Sequence, residues 1–129
     1  MQTDRRHILC CDDYEDTCFL LSTLLRQQGY GVSTADGVAG AERAVSSGRF
    51  DLAVLDNCFA DGSGIDLCRW MREQAPDMTV VFYSGVAFES DRDEVMCAGA
   101  AAYVSKPDIE GLLTTINGLL RDNVYAASG

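Results

Sequence analysis

At 129 residues the chain has the length of one compact domain, and its 47% hydrophobic and 23% charged residues exclude an intrinsically disordered protein. Twenty acidic against ten basic residues give a formal net charge of -10, which repels nucleic-acid phosphates and anionic membranes. The sequence shows no export signal and no run of about 20 apolar residues, so it predicts a soluble cytoplasmic protein that binds neither nucleic acid nor membranes directly.

Short apolar runs alternate with longer amphipathic ones along the whole chain. In chain order they predict strand 8–11, helix 16–28, strand 30–34, helix 38–47, strand 52–55, helix 64–74, strand 79–83, helix 91–98, strand 101–104 and helix 109–120. Such alternation is typical of a parallel sheet with right-handed crossover helices on both faces. The sequence therefore predicts one doubly wound α/β domain over residues 1–129, with its core at about 7–121 and loose ends at 1–6 and 124–129.

The cysteines fall inside or beside the apolar runs, and no export signal accompanies them. They are Cys10, Cys11, Cys18, Cys58, Cys68 and Cys97. The expectation is that all six are reduced, small core residues rather than a disulfide framework. A zinc site is not predicted, because the only histidine, His7, has no second ligand near it in the sequence.

Polar residues follow the predicted strands where each one ends. Asp12 and Asp13 follow the first strand, Asp56 the third, Ser84 the fourth and Lys106 the fifth. Each feature alone is common in turns and helix caps. In an open α/β sheet, however, the carboxyl ends of the strands form the functional edge, so we expect these five side chains to share one crevice.

Three carboxylates in one crevice repel one another by about 4 kcal/mol per close pair at 4 Å and an effective dielectric near 20. A hard divalent cation relieves this repulsion, and Mg²⁺ leaves coordination positions open for phosphoryl oxygens. The pattern predicts a phosphate-handling site in which Asp12 and Asp13 hold Mg²⁺ and Asp56 is the nucleophile. Lys106 would pair with Asp56 at rest, and Ser84 would offer a hydroxyl to the same group.

The sequence resembles the response regulator receiver family (the CheY-like superfamily of two-component systems) over about 7–120. The matching segments are Ile8-Leu9-Cys10-Cys11-Asp12-Asp13, Leu52-Ala53-Val54-Leu55-Asp56, Gly64, Phe82-Tyr83-Ser84-Gly85 and the run from Ala98 to Pro107. By analogy with that family we expect a flavodoxin-like sheet of five parallel strands in the order 2-1-3-4-5 with five helices.

The resemblance implies a phosphorelay mechanism rather than an ordinary enzyme. A histidine kinase or a histidine phosphotransfer protein would phosphorylate Asp56, with Mg²⁺ held by Asp12, Asp13, Asp56 and the backbone carbonyl of Cys58. The domain would also catalyse its own phosphorylation from small donors and its own slow dephosphorylation.

The resemblance also implies a switch. Ser84 and Lys106 would bind the phosphoryl oxygens, and the ring of Tyr103 would swing inward, which changes the surface of helix four, strand five and helix five. A downstream protein or a fused output domain would read that surface, with a phosphorylation-linked homodimer as a further option.

Several positions depart from the family pattern. Phe59 and Ala60 stand where Met or Leu and then Pro are usual, and Ala60 lacks proline's fixed backbone angle, which predicts a looser loop. The residues that orient the hydrolytic water in this family are here Cys58 and Val86, which are poor acids, bases or amides. The sequence therefore predicts a long-lived aspartyl phosphate.

Three alternatives stay open at this point. The first is a pseudo-receiver that binds partners without phosphate, although all five site residues are retained. The second is a phosphatase or phosphotransferase with an aspartyl intermediate, but Cys58 stands where those enzymes carry a second Asp. The third is a flavin protein, for which the expected phosphate-binding loop after the first strand is missing.

Overall fold

The computed structural model describes residues 5–85 and 89–128. Its elements in chain order are β1 (His7–Cys11), α1 (Glu15–Gln27), β2 (Gly31–Ala35), α2 (Val38–Ser47), β3 (Leu52–Leu55), β4 (Cys58–Phe59), β5 (Gly62–Ser63), α3 (Gly64–Gln74), β6 (Thr79–Ser84), α4 (Glu89–Cys97), β7 (Ala102–Ser105) and α5 (Ile109–Ser128).

Five parallel strands form the sheet, in the order β2-β1-β3-β6-β7. Because β4 and β5 lie outside this sheet, the order is the predicted 2-1-3-4-5, and the doubly wound α/β fold is confirmed. The central strand β3 is buried along its whole length, which explains why its sequence is continuously apolar instead of alternating.

Two hydrophobic clusters cover the two faces of the sheet. Side chains alternate along β1, so Leu9 and Cys11 pack with α2, α3 and α4, whereas Ile8 and Cys10 pack with α1 and α5. The amphipathic helices therefore divide three to one face and two to the other, and the polar ends of the strands remain at the rim of the sheet.

The helix boundaries follow from local backbone chemistry. Gly29 (φ 98°) and Gly99 (φ 108°) adopt the left-handed conformation after α1 and α4, which glycine tolerates without a steric penalty. Asp108 Oδ1 accepts a hydrogen bond from the Gly111 N–H at 2.9 Å and so caps the first turn of α5. Helix α5 continues to Ser128 rather than ending at residue 120. The prediction of loose ends at 1–6 and 124–129 remains a prediction, and of these ranges residues 1–4 and 129 lie outside the described part.

The two-stranded ribbon β4–β5 was not predicted. Its antiparallel pairs are Cys58 with Ser63 and Phe59 with Gly62. Strands of two residues carry no readable hydrophobic period, so the sequence pattern gives no sign of them. Phe59 is buried in the core cluster beside α2 and α3, and it anchors the ribbon to the domain.

The prediction that every cysteine is a core residue was wrong at two positions. All six are free, and four are buried, but Cys58 and Cys97 are exposed. Burial raises the pKa of the Cys10 thiol to about 12 and that of Cys68 to about 11, which keeps both protonated and unreactive. Among the described residues, no helix combines the length and the apolar character needed to cross a bilayer.

Candidate metal centre at the carboxyl edge of the sheet

Three carboxylates meet where β1 and β3 end. These strands are neighbours with Cys11 paired to Leu55, so the next residues, Asp12 and Asp56, emerge side by side. One carboxylate oxygen each from Asp12, Asp13 and Asp56 lie within 4.8 Å of one another. Asp12 is buried, Asp56 is half-buried and Asp13 is exposed. The structure thus brings together the acidic residues that the sequence selected as metal ligands.

Lys106 reaches into the acidic cluster from the end of β7. Its Nζ lies 2.8 Å from Asp12 Oδ2 and 3.3 Å from Asp56 Oδ2, so it donates hydrogen bonds to both carboxylates. Burial alone would lower the pKa of Lys106, but the hydrogen bond that Lys106 donates to Asp12 and the negative charge of Asp56 outweigh it and raise the pKa above 10.5. One ammonium faces three carboxylates, and the crevice therefore keeps an excess of negative charge suited to a divalent cation.

Backbone N–H groups fix the remaining carboxylate oxygens. Asp12 Oδ1 accepts a hydrogen bond from the Tyr14 N–H at 2.9 Å, and Asp56 Oδ1 accepts one from the Asn57 N–H at 2.7 Å. Each carboxylate is consequently held by an amide on one oxygen and by Lys106 on the other. Both carboxylates are therefore held in fixed orientations, which lowers the reorganisation cost of binding a cation.

Gly64 allows the close approach of α3 to the residue that follows β3, Asp56. A Cβ at this position would lie 1.9 Å from the Asp56 carbonyl oxygen, so no other residue fits without displacing the backbone of Asp56. The Gly64 N–H also donates to the Asn57 carbonyl at 2.7 Å. The resemblance to the receiver motif included this glycine, and the structure supplies the steric reason for it.

Ser84 and Tyr103 lie on one face of the sheet. Ser84 is 1% exposed at the end of β6, and the Lys106 N–H donates to its carbonyl oxygen at 2.9 Å. Tyr103 pairs in register with Phe82, two residues before Ser84, so alternation directs both side chains to the α2–α3–α4 face. The Arg92 guanidinium lies 5.3 Å from the centre of the Tyr103 ring, a cation–π contact between α4 and β7.

Two predicted contributors stay predictions. The Cys58 side chain is exposed on β4, and the assignment of its carbonyl as a metal ligand is untested. Val86, assigned with Cys58 to the hydrolytic water, lies outside the described residues.

Asp61 is a residue that sequence reasoning missed. Its Oδ1 and Oδ2 accept hydrogen bonds from the Val38 and Ala39 N–H groups at 2.8 and 3.0 Å. The bonds from Ala39 and Val38 lower the pKa of Asp61 below its ordinary value of 3.8. The partners are more than 20 residues apart, so no local pattern joins them. The available signal was indirect: Gly37, the residue before α2, has no side chain that could cap the helix.

Comparisons with known proteins agree with this geometry. The family model described as the response regulator receiver domain matches residues 8–117. The "Probable transcriptional regulatory protein TcrX" of Mycobacterium tuberculosis is 31% identical over 88% of this chain and 49% of its own length. The chain thus spans about half of that relative, and it spans 24% and 22% of the alginate biosynthesis regulators AlgB of Pseudomonas putida and Pseudomonas syringae.

Two solved structures share the fold closely. The CheY-like response regulator receiver domain protein of Methanospirillum hungatei JF-1 is 25% identical, with a TM-score of 0.89 and coverage of 95% of this chain and 99% of that one. TrrA of Thermotoga maritima, solved in complex with Mg(2+)-BeF, is 27% identical with a TM-score of 0.79 and coverage of 88% and 98%.

Proposed function

The chain belongs to the response regulator receiver domain family, and on that premise we propose that Asp56 takes a phosphoryl group from a phosphohistidine donor and thereby switches the surface offered to partners. The observation that carries the proposal is the position of the Lys106 ammonium, which bridges Asp12 and Asp56 in a crevice where three carboxylates meet. The nucleophile Asp56, the ammonium of Lys106 and the carboxylates that would bind a metal ion therefore share one edge of the sheet.

The acidic cluster fits a resident Mg²⁺. Asp12, Asp13 and Asp56, with the carbonyl of Cys58, would hold the ion, since oxygen ligands and few protein carboxylates are what Mg²⁺ prefers. When bound, the ion neutralises the carboxylates and the phosphoryl oxygens. That TrrA was solved with Mg(2+)-BeF supports the same assignment here.

The transfer needs little chemistry from the protein beyond position and charge. A carboxylate oxygen of Asp56 attacks the phosphorus, the new P–O bond forms as the donor's P–N bond breaks, and the electron pair of that bond stays with the imidazole. The Asn57 N–H keeps the carboxylate aimed during attack. Lys106 pairs with Asp56 before transfer and donates to a phosphoryl oxygen afterwards.

The switch follows from the difference in charge and in hydrogen-bond acceptors between unphosphorylated and phosphorylated Asp56. A phosphoryl group adds oxygens that accept from the Ser84 hydroxyl and from Lys106, so the conformation that provides both bonds becomes more populated. Ser84 and Tyr103 share a face of the sheet, which gives a short mechanical route from the phosphate to the surface of α4, β7 and α5.

We propose a histidine kinase or histidine phosphotransfer protein as the donor and a fused output domain or a separate protein as the target. Relatives such as TcrX are about twice the length of this chain and are described as transcriptional regulators, which supports an output function beside the receiver. The acidic surface disfavours direct DNA binding by this domain. A phosphate-independent pseudo-receiver is disfavoured, because the complete set of acidic and basic groups is assembled in one crevice.

The test is direct phosphorylation in vitro. The chain is incubated with Mg²⁺ and acetyl phosphate, and intact mass follows the gain of one phosphoryl group. Asp56→Asn should abolish the gain, whereas Asp66→Asn, an equal charge change on an exposed α3 carboxylate, should leave it intact. Absence of any gain in the wild-type chain, or a gain that survives Asp56→Asn, would refute the assignment.

Phosphoryl lifetime is measured on the same material after the donor is removed. Since Cys58 offers no good acid, base or amide for the hydrolytic water, we expect decay over minutes to hours. Loss within seconds would contradict this part of the proposal.

A further inference from the structure

The N-terminus of α2 lacks a cap of its own. Gly37 occupies the capping position without a side chain, and the first turn carries no acidic residue. The first N–H groups of α2 donate to the Asp61 carboxylate instead, from Val38 at 2.8 Å and from Ala39 at 3.0 Å. A carboxylate from a distant loop thus provides both the hydrogen bonds and the negative charge that a helix start favours.

This contact docks the loop of residues 57–63, named here the acceptor loop, onto α2. A Cβ at Gly37 would lie only 2.8 Å from Asp61 Oδ1, and a Cβ at Gly62 would lie 3.0 Å from Val38 Cγ2. Both glycines therefore permit a close approach between the loop and the helix. The contact is specific to this packing, since a larger side chain at either glycine would hold the two apart.

The acceptor loop begins at the nucleophile. The Asn57 N–H donates to Asp56 Oδ1 at 2.7 Å, the Asn57 carbonyl accepts from Gly64, and Phe59 is buried in the core. Ala60 lies between the buried Phe59 and Gly64, and unlike proline it has no ring that restricts the backbone. Asp61 is the polar anchor in the far half of the loop, just beyond this unrestricted residue.

We propose that Asp61 is a positioning residue which holds the acceptor loop against α2 and so sets the place of the Cys58 carbonyl and of Asp56 at the metal site. The inference rests on the proposed function, in which these two groups are Mg²⁺ ligands. Groups that orient metal ligands typically contribute 10- to 100-fold to affinity, and Asp61 acts from a few residues away, so its removal should weaken Mg²⁺ binding about tenfold.

The experiment titrates Mg²⁺ into the full chain and follows backbone amide shifts by NMR. Asp61→Ala should weaken binding about tenfold, and Asp61→Asn, which keeps one acceptor oxygen, should fall between it and the wild type. Asp66→Ala is the matched control, since it removes an equal charge from an exposed carboxylate at the start of α3. Equal affinities for Asp61→Ala and Asp66→Ala would overturn the proposal.

A second variant separates positioning from helix capping. The backbone of Gly37 is extended (φ -175°), so Ser fits there once Asp61→Ala has removed the side chain that crowds it. In Asp61→Ala/Gly37→Ser the new hydroxyl caps α2, and we expect the melting temperature to recover while Mg²⁺ affinity stays weak. Recovery of affinity together with stability would show that Asp61 only caps the helix, and the proposal would fail.

The same titration distinguishes the two levels of the argument. A wild-type chain that binds no Mg²⁺ would overturn the proposed function. A wild-type chain that binds Mg²⁺ while Asp61→Ala binds it equally well would overturn only the role of Asp61.

Discussion

Removal of Asp13 should stabilise the metal-free protein, because this residue adds a third negative charge to a crowded crevice. At the outer separation of 4.8 Å, two unit charges repel by about 3.5 kcal/mol at an effective dielectric of 20 and by about 0.9 kcal/mol in a water-like medium. Asp13 is exposed, so the water-like value applies to its repulsion from Asp12 and from Asp56. Lys106 lies beside Asp12 and Asp56, and taking its attraction to Asp13 to cancel about one of these repulsions leaves a gain of about 1 kcal/mol.

For a domain of this size, a gain of about 1 kcal/mol raises the melting temperature by about 3 to 6 °C. Scanning calorimetry of Asp13→Ala in a chelating buffer measures it, with Asp77→Ala as a control for the loss of one exposed charge at the opposite edge of the domain. The difference should shrink as salt is raised, since exposed charges are screened. Mg²⁺ should raise the melting temperature of the wild type more than that of Asp13→Ala.

The electrostatic reasoning would be refuted if Asp13→Ala melted no higher than the wild type without metal. It would also be refuted if Asp77→Ala gave the same gain, because the effect would then reflect net charge alone. Failure of Mg²⁺ to stabilise the wild type would show that the crowded carboxylates are not a metal site.

Three further predictions test other parts of the structure. Gly64→Ala should destabilise the fold by about 1–3 kcal/mol and slow phosphorylation, because the new Cβ would lie 1.9 Å from the Asp56 carbonyl oxygen. Denaturant unfolding measures the first effect and intact mass the second, and wild-type values in both would contradict the steric argument. A thiol reagent should label Cys58 and Cys97 rapidly and the four buried cysteines only on unfolding. Peptide mapping identifies the labelled residues, and fast labelling of all six would mean that the reagent reaches the core of the folded protein. Folding lowers the pKa of Asp61 below 3.8, so the hydrogen bonds that its carboxylate accepts persist above pH 3.8 and are lost as the pH falls through the folded-state pKa. The difference in unfolding free energy between the wild type and Asp61→Asn should therefore shrink below pH 3.8. A difference that stays constant with pH would contradict the assignment.

Local sequence was most informative where a segment has one period and a clear end. The limits of β3, α2 and α3 coincide with the predicted ranges, since an apolar run of strand length or an amphipathic run between Gly and Pro leaves few alternatives. Cysteine burial was misjudged at Cys58 and Cys97, because a cysteine beside an apolar run is inside only when its own side chain faces the core. The direction of a side chain in a short ribbon or a last helical turn is set by packing, which the pattern does not contain.

The sequence by itself determined the chain order of the five sheet strands and five helices and the set of polar residues at the strand ends, because these depend on the chain's own hydrophobic period and on the rule that parallel strands end at a common edge. The family followed from the resemblance of its motifs. Only the tertiary structure decided which atoms meet. Lys106 reaches Asp12, a partner that the sequence did not predict, across a separation of 94 residues, and Asp61 binds the start of α2 across more than 20. Such contacts depend on the packed distance between segments, and no local preference of the chain records that distance.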